Sequence, residues 1–142
     1  MAIIDKSSDY FETKLYTGNG GTLNVTGVGF APNLVWLKRR DSTGNHYVFD
    51  TVRGATQRLL PNDTAADAAD SNTLSAFGSD GFTVKSEADI NASSGTFVSW
   101  NWKAETSFSN NAGANGATIA STGRVNTDAG FSIISWTGNG SN

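Results

Sequence analysis

Residues 96–103 have the sequence TFVSWNWK, which is the most regular strand pattern in this chain. β-Branched and aromatic residues favour strands, and here they follow a strict two-residue alternation. That alternation places Val98, Trp100 and Trp102 on one face of the predicted strand. The stretch predicts a strand long enough to run through the middle of a sheet.

Further short strands are predicted on both sides of this stretch. Residues 34–37 form an apolar run that ends in three basic residues, and with the turn at 41–45 and the returning strand at 46–50 they predict a β-hairpin. Hydrophobic residues make up 37% of the chain, charged residues only 16%, and Gly is plentiful at 16 residues. This composition favours many short strands joined by tight turns, so we predict an all-β protein. The other predicted strands cover residues 10–16, 22–28, 74–77, 81–85 and 130–142.

Two segments have no clear strand pattern. Residues 51–60 are ambiguous between strand, loop and a short helical turn. Residues 62–72 are rich in Ala and Asp but lack an apolar stripe, so we expect a surface loop with at most a turn of helix.

Charge and residue types exclude several classes of function. A formal net charge of −3 argues against nucleic-acid binding, which uses a basic stripe. The chain has no Cys, so disulfides, thiolate catalysis and Cys-based zinc sites are excluded. No apolar stretch approaches the roughly 20 residues of a membrane helix, and residues 1–10 lack the apolar run of a signal peptide. We expect a soluble protein made in a cytoplasm, with no membrane partner.

The end of the chain repeats its beginning. Phe11 and Phe131 align at an offset of 120, and Thr17-Gly18-Asn19-Gly20 aligns with Thr137-Gly138-Asn139-Gly140. The sequence therefore predicts a β-sheet domain over residues 1–104, a Gly/Ser/Asn-rich arm or linker over 105–127, and a terminal strand over 128–142. The terminal strand either completes the first sheet or begins a second repeat.

Five motifs in a fixed order resemble virion-associated, tail-fibre-like proteins of marine bacteriophages. They span residues 5–20 (Asp-Lys-x-x-Asp-Tyr-Phe to Thr-Gly-Asn-Gly), 27–38 (Gly-Val-Gly-Phe-x-Pro-x-x-Val-Trp-x-Lys), 50–56 (Asp-x-Val-Arg-Gly-Ala-Thr), 79–82 (Ser-Asp-Gly-Phe) and 98–102 (Val-x-Trp-Asn-Trp). The resemblance implies an antiparallel β-sandwich of the jelly-roll or concanavalin-like kind. It also implies a structural role in a virion assembled in the bacterial cytoplasm, with other virion proteins as partners and no cofactor.

No residue pattern indicates catalysis or a metal site, and we expect no catalytic residue and no metal ligand. His46 is the only histidine, at the edge of the predicted hairpin, where a structural role is the more common one. The acidic loop at residues 62–72 lacks the spacing of a calcium loop. A glycosidase would need a pair of carboxylates; the candidates are Asp50, Asp80, Glu87 and Glu105, and no pair among them stands out.

Aromatic and basic residues are the candidates for a binding surface. Trp100 and Trp102, with Trp36 nearby, fit either the core between two sheets, which is the favoured interpretation, or a platform for a sugar ring. Arg39, Arg40 and Arg53 fit a solvated face, an anionic glycan or a protein partner.

These observations lead to one main functional hypothesis and its alternatives. We expect a non-enzymatic virion building block, tail-fibre-like or particle-anchoring, that assembles as a homo-oligomer. The alternatives are a capsid decoration protein and a carbohydrate-binding module for host surface glycans. A polysaccharide depolymerase would need a clustered pair of carboxylates.

Overall fold

The computed structural model describes residues 4–113 and 116–140. A 3₁₀ turn at Ser7–Asp9 precedes the first strand. Nearly all the regular structure that follows is strand, which confirms the all-β prediction. The elements in chain order are β1 (Phe11–Thr17), β2 (Leu23–Thr26), β3 (Leu34–Arg39), β4 (Tyr47–Asp50), β5 (Gln57–Arg58), β6 (Ala68–Ala69), β7 (Leu74–Gly78), β8 (Gly81–Val84), α1 (Ala88–Asn91), β9 (Thr96–Trp102), β10 (Thr106–Asn110), β11 (Ser121–Asn126) and β12 (Phe131–Trp136).

The first sheet has four antiparallel strands in the order β1-β9-β3-β4. β9, the strand with the TFVSWNW pattern, lies between β1 and β3 and pairs with both. The predicted hairpin is confirmed, because β3 pairs antiparallel with β4. The chain's most regular strand is therefore also a central strand of its first sheet.

A second sheet packs against the first and completes the sandwich. It has the order β2-β8-β7, again antiparallel. Side chains from both sheets and from α1 form one buried hydrophobic cluster, which confirms the predicted antiparallel β-sandwich. The cluster consists of Val25, Val35, Leu37, Tyr47, Phe49, Leu60, Leu74, Phe82, Val84 and Ile90.

A carboxylate joins two loops that are far apart in sequence. The backbone N–H groups of Gly27 and Gly29 donate to Asp80 at 2.9 and 2.6 Å. These hydrogen bonds hold the pKa of the Asp80 carboxyl below its usual range. Asp80 thereby holds the β7–β8 turn against the chain that follows β2.

Asn91, at the end of α1, holds the loop that follows β1. Its Oδ1 accepts from the N–H of Asn19 at 3.0 Å, and its backbone oxygen accepts from the N–H of Gly20 at 2.8 Å. The N–H of Gly18 also donates to the carbonyl of Gly95 at 2.9 Å. We call the segment from Asn91 to Gly95 the Asn91 cradle.

The C-terminal part forms a third sheet, with the order β10-β11-β12. Sequence composition predicts an arm or linker over residues 105–127, but the structure places β10 and β11 there. Backbone pairing forms these strands despite few apolar side chains, and Phe108 packs closely over Gly123, where a Cβ would come within 2.7 Å of the ring. β12 pairs with β11 and is not part of the four-stranded sheet.

The middle segment is a surface loop, as predicted, with residues 62–67 exposed and no turn of helix within residues 62–72. One short pairing was not predicted there, that of Ala68 and Ala69 with Arg58 and Gln57. The short helix α1 lies further along the chain. Among the described residues, no helix is long and apolar enough to cross a membrane.

Candidate functional site

An apolar cleft lies on the outer face of the four-stranded sheet. Four side chains line it, those of Trp36, His46, Trp100 and Trp102, and its volume is about 290 Å³. β3 supplies Trp36, β9 supplies Trp100 and Trp102, and His46 directly precedes β4. All four residues are half-buried. We call this site the aromatic cleft.

Strand register sets the geometry of the cleft. Trp36 and Trp100 are direct partners across β3 and β9, so alternation places both on the same face. Their ring centroids are 6.1 Å apart at 73°, an edge-to-face arrangement. The indole Nε1–H of Trp36 donates to Nδ1 of His46 at 2.9 Å. Because Nδ1 accepts, the neutral imidazole carries its proton on Nε2, which remains a donor.

Trp102 forms the end of the cleft near the third sheet. Its ring packs against Phe11 at 4.9 Å and stacks on Phe131 at 5.9 Å and 20°. One indole thus contacts β1 and β12 as well as the cleft. The Trp102 ring is therefore packed on both sides, by Phe11 and by Phe131.

The interpretation of these tryptophans as core residues is wrong. The opposite face of β9, which carries Phe97, Ser99 and Asn101, faces the interior, and all three are fully buried. Ser99 and Asn101 are accommodated there because they form hydrogen bonds. Asn101 Nδ2 donates to the carbonyl of Glu12 and to Ser99 Oγ, both at 3.0 Å. The larger rings of Trp100 and Trp102 lie on the outer face of the sheet.

The candidate arginines lie outside the aromatic cleft. Arg39 binds Asp41 through Nε at 2.7 Å and lies over the Phe97 ring. Arg53 binds Asp50 at 2.6 Å and donates to the carbonyl of Val48 at 3.1 Å. Arg40 is exposed. The structure therefore brings together Trp36, Trp100 and Trp102 but not Arg39, Arg40 or Arg53.

His46 was not predicted as part of a binding surface. It precedes Val48 by two residues, and Val48 is the direct partner of Trp36 across the hairpin. Because strand side chains alternate, a strand continued back from Val48 would point His46 to the same face as Trp36. The sequence predicts the hairpin but not the register of its two strands. Without that register, His46 cannot be placed beside Trp36.

One family model matches the chain, over residues 6–142, and its description is a domain of unknown function, DUF7483. The chain belongs to this DUF7483 family. No curated protein and no solved structure matches it. The matched range of this DUF7483 domain includes the sandwich, the aromatic cleft and the three-stranded sheet.

The four candidate carboxylates of this DUF7483 domain each take part in local hydrogen bonds or ion pairs. Asp80 accepts from two glycine N–H groups, and Asp50 binds Arg53 and the N–H of Val52. Glu87 accepts from the N–H of Asp89, and Glu105 pairs with Lys103 at 3.0 Å. In the described part of the chain, no group of three or more His, Cys, Asp or Glu residues is placed to hold a metal ion. The arrangement of the site suits binding of an apolar ring surface.

Acid is expected to break the bond between Trp36 and His46. Burial, followed by the positive charge of Lys38, holds the pKa of His46 below its ordinary value. The neutral imidazole therefore stabilises the fold fully above the ordinary pKa of about 6.5, and this contribution is lost as the pH falls through the lowered pKa. Nuclear magnetic resonance of the Trp36 indole N–H should show a shift only below that ordinary value.

A His46→Phe variant is the control for this titration, because phenylalanine has no titrating group. Its Trp36 resonance should lack the acid transition. A transition in the wild type centred above the ordinary histidine pKa would contradict the expected direction of the shift.

Proposed function

We propose that this chain is a non-enzymatic structural module of a bacteriophage particle, of the tail-fibre-like or particle-anchoring kind. The basis is the resemblance of five ordered motifs to virion-associated phage proteins. Their location in the sandwich is consistent with a structural role. The strands of the first and second motifs, β1 and β3, both pair with β9, the strand of the fifth motif.

The observation that carries the proposal is how the polar residues of the motifs are used. Gly27 and Gly29 of the second motif bond to Asp80 of the fourth. Asp50 and Arg53 of the third motif bond to each other and shape a loop. The polar motif residues thus hold loops and strands together, which is the role such residues have in a structural protein. They do not form the cluster of acid, base and nucleophile that catalysis requires.

Mass spectrometry of purified virions tests this proposal. We expect peptides of this chain in intact particles, in a stoichiometry that follows the symmetry of a tail or of its fibres. Immunogold labelling of the particles should then mark the tail. Absence of the chain from virions would overturn the proposal. Labelling over the whole head would contradict a tail location and indicate a capsid decoration protein instead.

A second candidate function, binding of a saccharide ring, is favoured by the aromatic cleft. Apolar atoms supply nearly all of the cleft's exposed lining, and half-buried indoles are suited to the C–H face of a pyranose. The His46 ring lines the same site, and its hydrogen bond with Trp36 holds that indole in place. A glycan of the host surface is the partner that fits a phage particle.

Removal of one cleft indole is expected to abolish most of this binding. We expect Trp100→Ala to weaken the affinity for a bacterial surface oligosaccharide about tenfold, since one aromatic contact contributes roughly 1.4 kcal/mol. Isothermal titration calorimetry with capsular and lipopolysaccharide fragments measures this. Trp136→Ala is the matched control, because Trp136 is 65% exposed and does not line the cleft. Equal effects of the two substitutions would contradict a site at the cleft.

A further inference from the structure

β12 is an edge strand with no charged side chain. It is the last strand in the order β10-β11-β12, and no described strand pairs with its other edge. Its sequence is FSIISW. Half of the backbone N–H and C=O groups of an edge strand point away from its neighbour and are available to a further strand. A further strand pairs most readily with an edge strand that is apolar and carries no charge.

The chain contains its own comparison for this edge. β1 aligns with β12 at the offset of 120, and β1 is also an edge strand of its sheet. β1 carries Glu12 and Lys14, and charges of this kind oppose the addition of another strand. At the corresponding positions β12 has Ser132 and Ile134. β12 therefore lacks the charges that its counterpart carries.

The exposed face of the third sheet continues this apolar edge. Ile134 is 49% exposed and Trp136 is 65% exposed, although both are large and apolar. Strand register places Phe108 on the same face as Ile134, both opposite Gly123. No charged side chain lies on this face, because Arg124 points to the other side, where it donates to the carbonyl of Glu105 at 2.9 Å.

We propose that the free edge of β12 pairs antiparallel with the same edge of a second copy of this chain. A two-fold axis at Ile134 places Ile134 opposite its counterpart and Ser132 opposite Trp136 of the other copy. The two three-stranded sheets then form one six-stranded sheet, and their apolar faces become continuous.

Charge allows a second copy of the chain to meet this edge without repulsion. In a two-fold interface only a residue on the axis faces its own copy, and the residue at the proposed axis is the uncharged Ile134. The whole chain carries a net charge of −3, yet this edge carries none. A single strand pair with one apolar row falls at the small end of protein interfaces, so the dimer dissociates on dilution.

Sedimentation velocity over a range of concentrations tests the proposal. The wild-type chain is expected to form a dimer, and Ile134→Lys to weaken dimerisation at least tenfold because it places two ammonium groups opposite each other at the axis. Leu15→Lys is the matched control, since Leu15 is 58% exposed on the counterpart strand, and it should dimerise like the wild type. A wild-type chain that stays monomeric at millimolar concentration would overturn the proposal, as would equal effects of the two lysines.

Cross-linking tests the register directly. The chain contains no cysteine, so Ile134→Cys introduces a single thiol. Paired residues at a two-fold axis have Cα atoms within the 4.4 to 6.8 Å that a disulfide requires, so mild oxidation should yield a covalent dimer. Leu15→Cys should stay monomeric under the same conditions. A dimer that forms in solution without this cross-link would exclude pairing at Ile134.

Discussion

Asn91→Ala is expected to lower the free energy of unfolding by about 3 kcal/mol. Asn91 is fully buried, and its Nδ2 donates to the carbonyls of Gly21 and Lys85, both at 2.7 Å. Alanine removes both donors and leaves the two carbonyls without that partner. It also removes the Oδ1 acceptor that holds the N–H of Asn19. Each buried group that loses its partner costs about 1 to 3 kcal/mol, which is why we place this among the largest single effects.

Thermal unfolding measures this loss, and for a domain of this size 3 kcal/mol corresponds to a fall in Tm of about 10 °C. Asn24→Ala is the matched control. Asn24 is exposed and accepts a hydrogen bond from Thr83 Oγ1 at 2.8 Å, so its loss should change the stability by no more than about 0.5 kcal/mol. Similar Tm values for the two variants would show that the Asn91 cradle does not stabilise the sandwich.

Gly18→Ala is the second change with a large expected effect. A Cβ at position 18 would overlap the carbonyl oxygen of Ala92 and come within 2.8 Å of the carbonyl carbon of Asn91. Both of these are backbone atoms, so the clash cannot be relieved by turning a side chain. We expect a loss of about 3 kcal/mol, with the loop after β1 displaced from the Asn91 cradle.

The repeat supplies the control for this substitution. Gly138 corresponds to Gly18, but a Cβ there meets no heavy atom within 4 Å. Gly138→Ala should therefore be neutral within about 0.5 kcal/mol. Chemical denaturation of both variants decides the matter, and a stability loss confined to Gly138→Ala would contradict the packing around Gly18.

The sequence was sufficient to predict most of the sandwich strands. It did not predict the features that depend on which strands pair with each other. The alternation in β9 predicts the strand but does not say which face is inside. Ser99 and Asn101 are buried because Glu12 and the neighbouring backbone provide hydrogen bonds, and such partners come only with the tertiary structure. For the same reason β10 and β11 were missed, since their stability comes from cross-strand pairing and not from an apolar pattern.

The aromatic cleft was predictable only in part. Trp100 and Trp102 share a face by alternation alone, and the hairpin predicts that Trp36 lies in a strand. That Trp36 lies beside Trp100 depends on the pairing of β3 with β9, two strands separated by more than 50 residues. The position of Trp102 between Phe11 and Phe131 depends in addition on the third sheet, which composition did not reveal.

The pairing of β1 with β9 also sets the order in which the molecule can fold during synthesis. The partner strand of β1 begins at Thr96, about 80 residues after β1 ends. At typical elongation rates of about 5–20 residues per second, β1 remains without its partner for on the order of 10 seconds. Glu12 and Lys14 oppose pairing of β1 with a wrong strand during that interval, whereas β12, which lacks such charges, is made directly after its partner β11.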